Sequence, residues 1–153
     1  MDALSHLKTD LLATIDRLPS LSNGNWIQRA LEAILRLSEI EIDRLDWKIL
    51  SASIDDMERA FQVFYPYRHV RKVAVFGSAR TNYTAPEYQL AYDFARLITQ
   101  QGFMTITGAG GGIMAAANAG AGAENSFGLN IQLPYEQGMN EYIAGDPKTI
   151  SFK

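Results

Sequence analysis

The chain has 153 residues, of which 47% are hydrophobic and 20% charged, and its formal net charge is −3. This size allows one domain with a real core, or a small domain with a helical appendage. No block of lysine or arginine occurs, which argues against holding nucleic acid mainly through its phosphates. Without cysteine, thiolate metal sites are excluded, and His6 and His69 are isolated, so we expect no metal. No apolar run is long enough to span a bilayer and no signal-peptide pattern occurs, so we expect no membrane partner and a cytoplasmic location.

The N-terminal region, residues 1–68, has the apolar spacing of helices. Three helical stretches are predicted: one ending near Pro19, one from Trp26 to Leu50 that is either one bent helix or two, and one from a capping box at Ser53 to Pro66. The aromatic residues of this region either pack helix on helix, which we favour, or form a docking surface for a second subunit or domain. They are Trp26, Trp47, Phe61, Phe64 and Tyr67.

The remainder, residues 69–153, has short apolar runs that alternate with helical patterns. The predicted elements are a strand at 72–76 buried on both faces, a helix capped at Thr84, a strand at 103–107, a helix of small residues ending near Gly120 to Gly122, and a strand at 127–133 closed by Pro134. Strands and helices that alternate through short links form a parallel sheet with right-handed crossovers. We therefore predict an α/β fold, in which an N-terminal helical region precedes the first half of a doubly wound, Rossmann-like sheet.

The second predicted strand runs into four glycines, Gly108, Gly110, Gly111 and Gly112, ahead of a helix. One interpretation is a tight turn only; the other, which we favour, is a loop whose N–H groups and following helix start bind a phosphate. The loop after the first strand, Gly77 to Arg80, lies at the same carboxyl edge of the sheet and faces the same crevice. The dinucleotide fingerprint would follow the first strand, and no Gly-Lys-Ser/Thr follows these glycines. Mononucleotide binding fits better than either alternative.

Three segments in order carry a family resemblance: Val73-Ala-Val-Phe-Gly-Ser78, Thr105-Ile-Thr-Gly-Ala-Gly-Gly-Gly-Ile-Met-Ala-Ala-Ala-Asn-Ala-Gly120, and Phe127-Gly-Leu-Asn-Ile-Gln-Leu-Pro-Tyr-Glu-Gln137. Over about Arg71 to Ile143 the chain resembles the Lonely Guy family of lysine decarboxylase-like proteins, in its longer bacterial branch. Members hydrolyse the N-glycosidic bond of nucleoside 5′-monophosphates, including cytokinin precursors, and release the free base and ribose 5-phosphate. The resemblance also implies a homodimer without metal or organic cofactor.

The chain departs from the family in one respect. The family's Pro-Gly-Gly-x-Gly-Thr-x-x-Glu loop, with the Arg-Lys pair that precedes it, supplies the catalytic glutamate and arginine and does not occur in this sequence. We therefore assign no catalytic residue and expect the N-terminal part of a longer family member, inactive by itself. Three functions stay open: a nucleoside-monophosphate phosphoribohydrolase or a piece of one, a non-catalytic nucleotide- or molybdenum-cofactor-binding protein, and a helix-mediated oligomerisation module.

Residues of the two loops and one later acid are the predicted substrate-binding set: Gly77, Ser78, Gly108, Gly110, Gly111, Gly112, Ile113, Met114 and Glu141. Ser78 is assigned to binding and not to nucleophilic attack, because no histidine is placed to activate it. Arg80 either pairs with a substrate phosphate or lies on the surface. Glu141 corresponds to a substrate-contacting acid of the family, Glu136 competes with it, and a solvated glutamate is the simpler alternative for both.

Overall fold

The computed structural model describes residues 3–131 and 138–152. Its helices are α1 (Ala3–Ile15), α2 (Gly24–Ser38), α3 (Arg44–Phe64), α4 (Pro86–Gln100) and α5 (Ile113–Ala121). Its strands are β1 (Lys72–Ala74), β2 (Met104–Thr107), β3 (Ser126–Ile131) and β4 (Thr149–Phe152). The predicted α/β class is confirmed, and contacts divide the chain into two compact units, Met1–Leu50 and Ser51–Lys153. The predicted division at residue 68 stays a prediction.

The helical region decides one alternative that the sequence left open, and it corrects one predicted helix start. The stretch from Trp26 to Leu50 is two helices, because α2 ends at Ser38 and α3 begins at Arg44. The capping box predicted at Ser53 is wrong, since Ser53 lies inside α3. The reciprocal bonds form earlier: Asp43 Oδ1 accepts from Leu45 N at 3.3 Å, and Asp46 Oδ2 accepts from Asp43 N at 3.3 Å. Because no glycine or proline lies between Leu50 and Phe64, nothing stops the helix at Leu50.

All four strands run parallel in the order β1-β2-β3-β4. β4 was not predicted, and it pairs with β3 from Gly128 opposite Thr149 to Ile131 opposite Phe152. The predicted third strand is confirmed over Ser126–Ile131, whereas its closure at Pro134 falls outside the described residues. Because Thr107, Gly128 and Thr149 stand in register, β4 begins at the level where β2 ends.

The two faces of the sheet are covered by different elements. Helices α4 and α5 pack together on one face, where Val75 meets a buried cluster of Ala95, Ala117 and Ala121. On the other face Phe127 is fully buried, and the Phe64 ring at the end of α3 stacks on it at 4.5 Å between centroids. Side chains of the sheet are thus buried on both of its faces, as is typical of a parallel sheet.

The prediction that the first strand is buried on both faces is wrong. β1 ends at Ala74, which is exposed, and Phe76 beyond it is 84% exposed. The cause is position: among the described strands β1 pairs only with β2, so it is an edge. Val75 packs against the alanine cluster of the two helices, whereas Phe76 alternates to the opposite face and is exposed there.

Candidate functional site

Two loops meet at the carboxyl edge of the sheet, as the sequence predicts for a parallel α/β fold. The first loop is residues 77–80, after β1, and the glycine loop is residues 108–112, between β2 and α5. Ser78 O accepts a hydrogen bond from Ile113 N at 3.1 Å, so the first loop closes on the start of α5. Ser78 Oγ accepts from Arg80 N at 3.1 Å, which folds the first loop on itself.

Close contact between these loops explains two of the glycines. A Cβ at Gly111 would lie 3.0 Å from Ala79 O, and one at Gly112 would overlap Ser78 O. Gly112 also has φ of 59°, where L-residues are strained. Loop-on-loop packing therefore requires glycine at 112, while a side chain at 111 would press on Ala79 O. The tight-turn and phosphate interpretations of the sequence did not consider this packing.

The glycine loop is also held from the opposite side, by Asn140. Asn140 N donates to Ala109 O at 2.8 Å, and Asn140 Nδ2 lies 3.0 Å from Ala109 O and 2.9 Å from Gly110 O. Nδ2 also lies 3.0 Å from Asn118 Oδ1, which accepts in addition from Thr107 Oγ1 at 2.8 Å. Ala109 N in turn donates to Thr107 Oγ1 at 3.0 Å. These bonds stabilise Ala109 at φ of 61°, a left-handed conformation rare for alanine.

The orientation of both asparagine amides follows from this network. Two of the partners of Asn140 Nδ2 are backbone carbonyls, which only accept, so this atom must be the amide nitrogen. The Asn118 atom that faces it must therefore be Oδ1. Asn118 is fully buried, and its Nδ2 has no partner among the described residues.

Backbone N–H groups at the loop and helix start remain available for an anion. The N–H groups of Gly110, Gly111 and Gly112 have no acceptor within the described parts of the chain. Met114 and Ala115 lie in the first turn of α5, so their N–H groups have no helical carbonyl to bind, and no other acceptor occurs within the described residues. Five N–H groups therefore cluster at a helix start, whose dipole favours negative charge.

The comparison with protein families assigns this part of the chain. Residues 70–142 match the model of the SLOG cluster4 family. The match covers 73 of the 153 residues, and we call these residues the SLOG segment. The SLOG superfamily includes Lonely Guy-type Rossmann proteins, so the resemblance is confirmed at that level, while the Lonely Guy family itself is not singled out. None of the curated proteins compared with the sequence matches it.

The SLOG segment ends in a third part of the site, formed by Glu141 and Tyr142 beside Tyr88 of α4. Burial raises the pKa of Tyr88 above 10.0, and a side-chain hydrogen bond with Tyr142 and the negative charge of Glu141 raise it further. Glu141 and Tyr142 are exposed, directly after Asn140 in the chain. The start of α4 and the segment that holds the glycine loop therefore meet here.

The structure brings most of the predicted residues together. Gly77 packs against Ile113, since a Cβ at Gly77 would lie 2.5 Å from the Ile113 side chain. Met114 covers the space beside two glycines: a Cβ at Gly108 would lie 3.0 Å from its Sδ, and one at Gly110 would lie 2.7 Å from its Cε. Met114 and Ile113 thus serve as packing partners of the glycines.

Of the two glutamates predicted at the site, the structure describes only one. Glu141 lies at the Tyr88 side of the SLOG segment, and Glu136 falls outside the described residues. Asn140, Asn118, Thr107, Tyr88 and Tyr142 were missed as site residues. One signal was present in the sequence: Asn118 is the polar residue within an otherwise small, apolar helix.

Two kinds of feature do not occur among residues 3–131 and 138–152. No group of three or more histidine, aspartate or glutamate side chains is placed to hold a metal ion. No helix in these ranges has the length and apolar character needed to cross a membrane.

Proposed function

We propose that the SLOG segment binds a nucleoside 5′-monophosphate through its phosphate group. The observation that carries this proposal is the cluster of five N–H groups at Gly110, Gly111, Gly112, Met114 and Ala115 without acceptors among the described residues. A phosphate presents several acceptor oxygens and a charge that the helix start favours. Membership of a superfamily of nucleotide-related Rossmann-like proteins supports a nucleotide as the carrier of that phosphate.

The base and ribose would then extend toward the Tyr88 side of the site. Glu141 is exposed there and carries a negative charge that acts on Tyr88, so its carboxylate can accept from ribose hydroxyls or an exocyclic amine. Ser78 and Arg80 lie on the other side, in the exposed first loop. We keep Arg80 as a candidate partner of the phosphate, with a surface role as its alternative.

The reaction we propose for the complete site is hydrolysis of the N-glycosidic bond, as in Lonely Guy-type enzymes. Such a reaction needs an acid group that assists water or stabilises the positively charged ribose, and an arginine for the developing negative charge. The loop that supplies these residues in the Lonely Guy family does not occur in the 153 residues. The chain by itself would then bind nucleotide without turning it over, which makes non-catalytic nucleotide binding the second candidate function.

A homodimer in the cytoplasm is the assembly we propose, following the resemblance. One observation on α3 supports self-association: Ile54, Met57 and Phe61 lie three and four residues apart and are 47%, 50% and 65% exposed. They line a shallow groove together with Ser53 and a single charged residue, Glu58. A second copy of the same helix face would bring little charge repulsion, and it would bury apolar surface.

The test of phosphate binding compares three ligands by isothermal titration calorimetry. We expect AMP and ribose 5-phosphate to bind, and adenosine, which has the same base and sugar without the phosphate, to bind far more weakly. Equal binding of AMP and adenosine would contradict the phosphate assignment, and so would the absence of any heat with all three ligands at millimolar concentration. Free adenine in the reaction mixture, followed by chromatography, reports turnover separately.

A further inference from the structure

We propose that Asn140 is a positioning residue that aims the N–H groups of the glycine loop at the anion. This inference rests on the proposed phosphate site and adds to it the residue that sets the geometry of that site. Asn140 itself donates only to the carbonyls of Ala109 and Gly110 and to Asn118 Oδ1, so it need not touch the ligand.

The geometry of the peptide bond carries the argument. In a trans peptide the carbonyl oxygen and the following N–H point in opposite directions, and no cis peptide occurs in the described chain. Asn140 fixes the carbonyl of Ala109, which fixes the N–H of Gly110 on the far side of that peptide plane. It also fixes the carbonyl of Gly110, which fixes the N–H of Gly111 in the same way. Two of the five proposed phosphate donors are therefore directed away from Asn140, toward the open side of the loop.

The loop would not keep this conformation unaided. Glycine explores φ and ψ freely, and Ala109 is held in the left-handed region where alanine is disfavoured. The other fixed points are Ala109 N on Thr107 Oγ1 and Ile113 N on Ser78 O, and they lie at the two ends of the loop. Among the residues that the structure describes, only Asn140 binds the carbonyls of Ala109 and Gly110, whereas Gly112 O accepts from Ala116 N of α5.

Asn140 thereby couples two distant parts of the chain. It lies in the turn that precedes β4, and Asn140 Oδ1 accepts from Tyr142 N at 3.2 Å. Its amide bonds to Asn118 of α5, so the turn, the helix and the loop share one network. Losing the Asn140 side chain would release the Gly110 carbonyl and leave the Ala109 carbonyl with only the backbone bond from residue 140, while every proposed phosphate donor stays in the chain.

The experiment measures AMP affinity of the whole chain as Asn140→Ala, Asn140→Asp and Thr149→Val. Thr149→Val is the matched control, because Thr149 Oγ1 donates to Ile143 O at 3.0 Å in the same segment without contacting the loop carbonyls. We expect Asn140→Ala to weaken AMP binding about 10-fold, because the two N–H donors of Nδ2, which three acceptors share, no longer fix the loop. Thr149→Val should bind as the parent chain does.

Asn140→Asp separates positioning from general loss of structure. At pH 7.5 its carboxylate would face three acceptors and bind none of them, whereas a protonated carboxyl regains one O–H donor. The affinity of Asn140→Asp relative to the parent chain should therefore recover between pH 7.5 and pH 4.5, while the ratio for Asn140→Ala stays constant. Titration of the ligand phosphate is common to all variants and cancels in these ratios.

Amide hydrogen exchange tests the inference without any ligand. In Asn140→Ala we expect faster exchange at the N–H groups of Ala109 and Ile113, the two protected ends of the loop, and unchanged exchange in β3. If the parent chain binds no AMP, the proposed function fails, and this exchange pattern still decides whether Asn140 orders the loop. Unchanged exchange at Ala109 and Ile113, or an unchanged AMP affinity in a chain that binds AMP, would overturn the inference.

Discussion

Thr105 and Thr107 of β2 form a matched pair that tests the hydrogen-bond network under the glycine loop. Both side chains are buried on the same face of one strand, with 0% and 3% of the residue exposed. Thr107 Oγ1 donates to Asn118 Oδ1 and accepts from Ala109 N, whereas Thr105 Oγ1 has no partner among the described residues. Replacing each with valine removes the hydroxyl and nearly keeps the shape.

The two substitutions should differ in their effect on the free energy of unfolding. Thr107→Val leaves the buried Ala109 N–H without an acceptor, and stranding such a donor costs about 1–3 kcal/mol. Asn118 Oδ1 keeps Asn140 as a donor, so little is added there. We therefore expect a loss of about 2 kcal/mol for Thr107→Val. Thr105→Val removes an unpaired buried hydroxyl and should leave stability unchanged or raise it by up to about 1 kcal/mol.

Urea unfolding followed by circular dichroism measures both effects. For slopes of about 1–3 kcal/mol per molar urea, a loss of 2 kcal/mol lowers the midpoint by roughly 1 M. Thr107→Val should also weaken AMP binding, since it frees one end of the glycine loop, and Thr105→Val should not. Equal midpoints for the two variants would refute the assignment of the network, as would a larger loss for Thr105→Val.

Four further outcomes follow from the site and from α3. Gly111→Val should weaken AMP binding more than 10-fold with helical circular dichroism intact, because its side chain would press on Ala79 O, while Gly138→Ala, where a Cβ meets nothing within 4 Å, should bind normally. Glu141→Gln should lower the pKa of Tyr88, so that phenolate absorbance appears at lower pH. Because folding raises the pKa of Tyr88 above 10.0, the stability that Tyr88 contributes is present below pH 10.0 and is lost as the pH rises through the folded pKa. Phe61→Glu should shift the proposed dimer to monomer in light scattering, and a parent chain that is already monomeric contradicts that proposal. The 153-residue chain should release no adenine from AMP, since each missing transition-state group typically costs about 10²- to 10⁴-fold, and turnover like that of a complete enzyme would count against this expectation.

Local sequence signals were sufficient for the strands and loops that position the site. The apolar runs before Gly77 and Gly108 predict β1 and β2. Gly108 directly follows β2, whereas β1 ends at Ala74, three residues before Gly77. β4 has only four residues, Thr149–Phe152, and its order depends on pairing with β3, which no local pattern reveals. The prediction that Phe76 is buried failed for a related reason, since burial of this side chain depends on what lies beside the edge strand.

The residues that fix the conformation of the glycine loop were harder to predict than the glycines of the loop itself. Asn140 contacts carbonyls 30 and 31 positions earlier in the chain, so nothing in its neighbourhood indicates its partners. The capping box failed in a different way: Ser53 and Asp43 both begin plausible cap patterns, and the structure uses Asp43 because the helix then continues uninterrupted to Phe64. Competing local signals of equal quality are decided by tertiary packing.

The most direct measurement of the proposed phosphate site is an amide NMR titration of the chain with AMP. We expect the largest ¹H shifts, downfield as hydrogen bonds form, at the N–H groups of Gly110, Gly111 and Gly112, followed by Met114 and Ala115. Adenosine at the same concentration should leave these five signals in place. Shifts that cluster elsewhere in the chain, or identical shifts with AMP and adenosine, would contradict phosphate binding by the glycine loop.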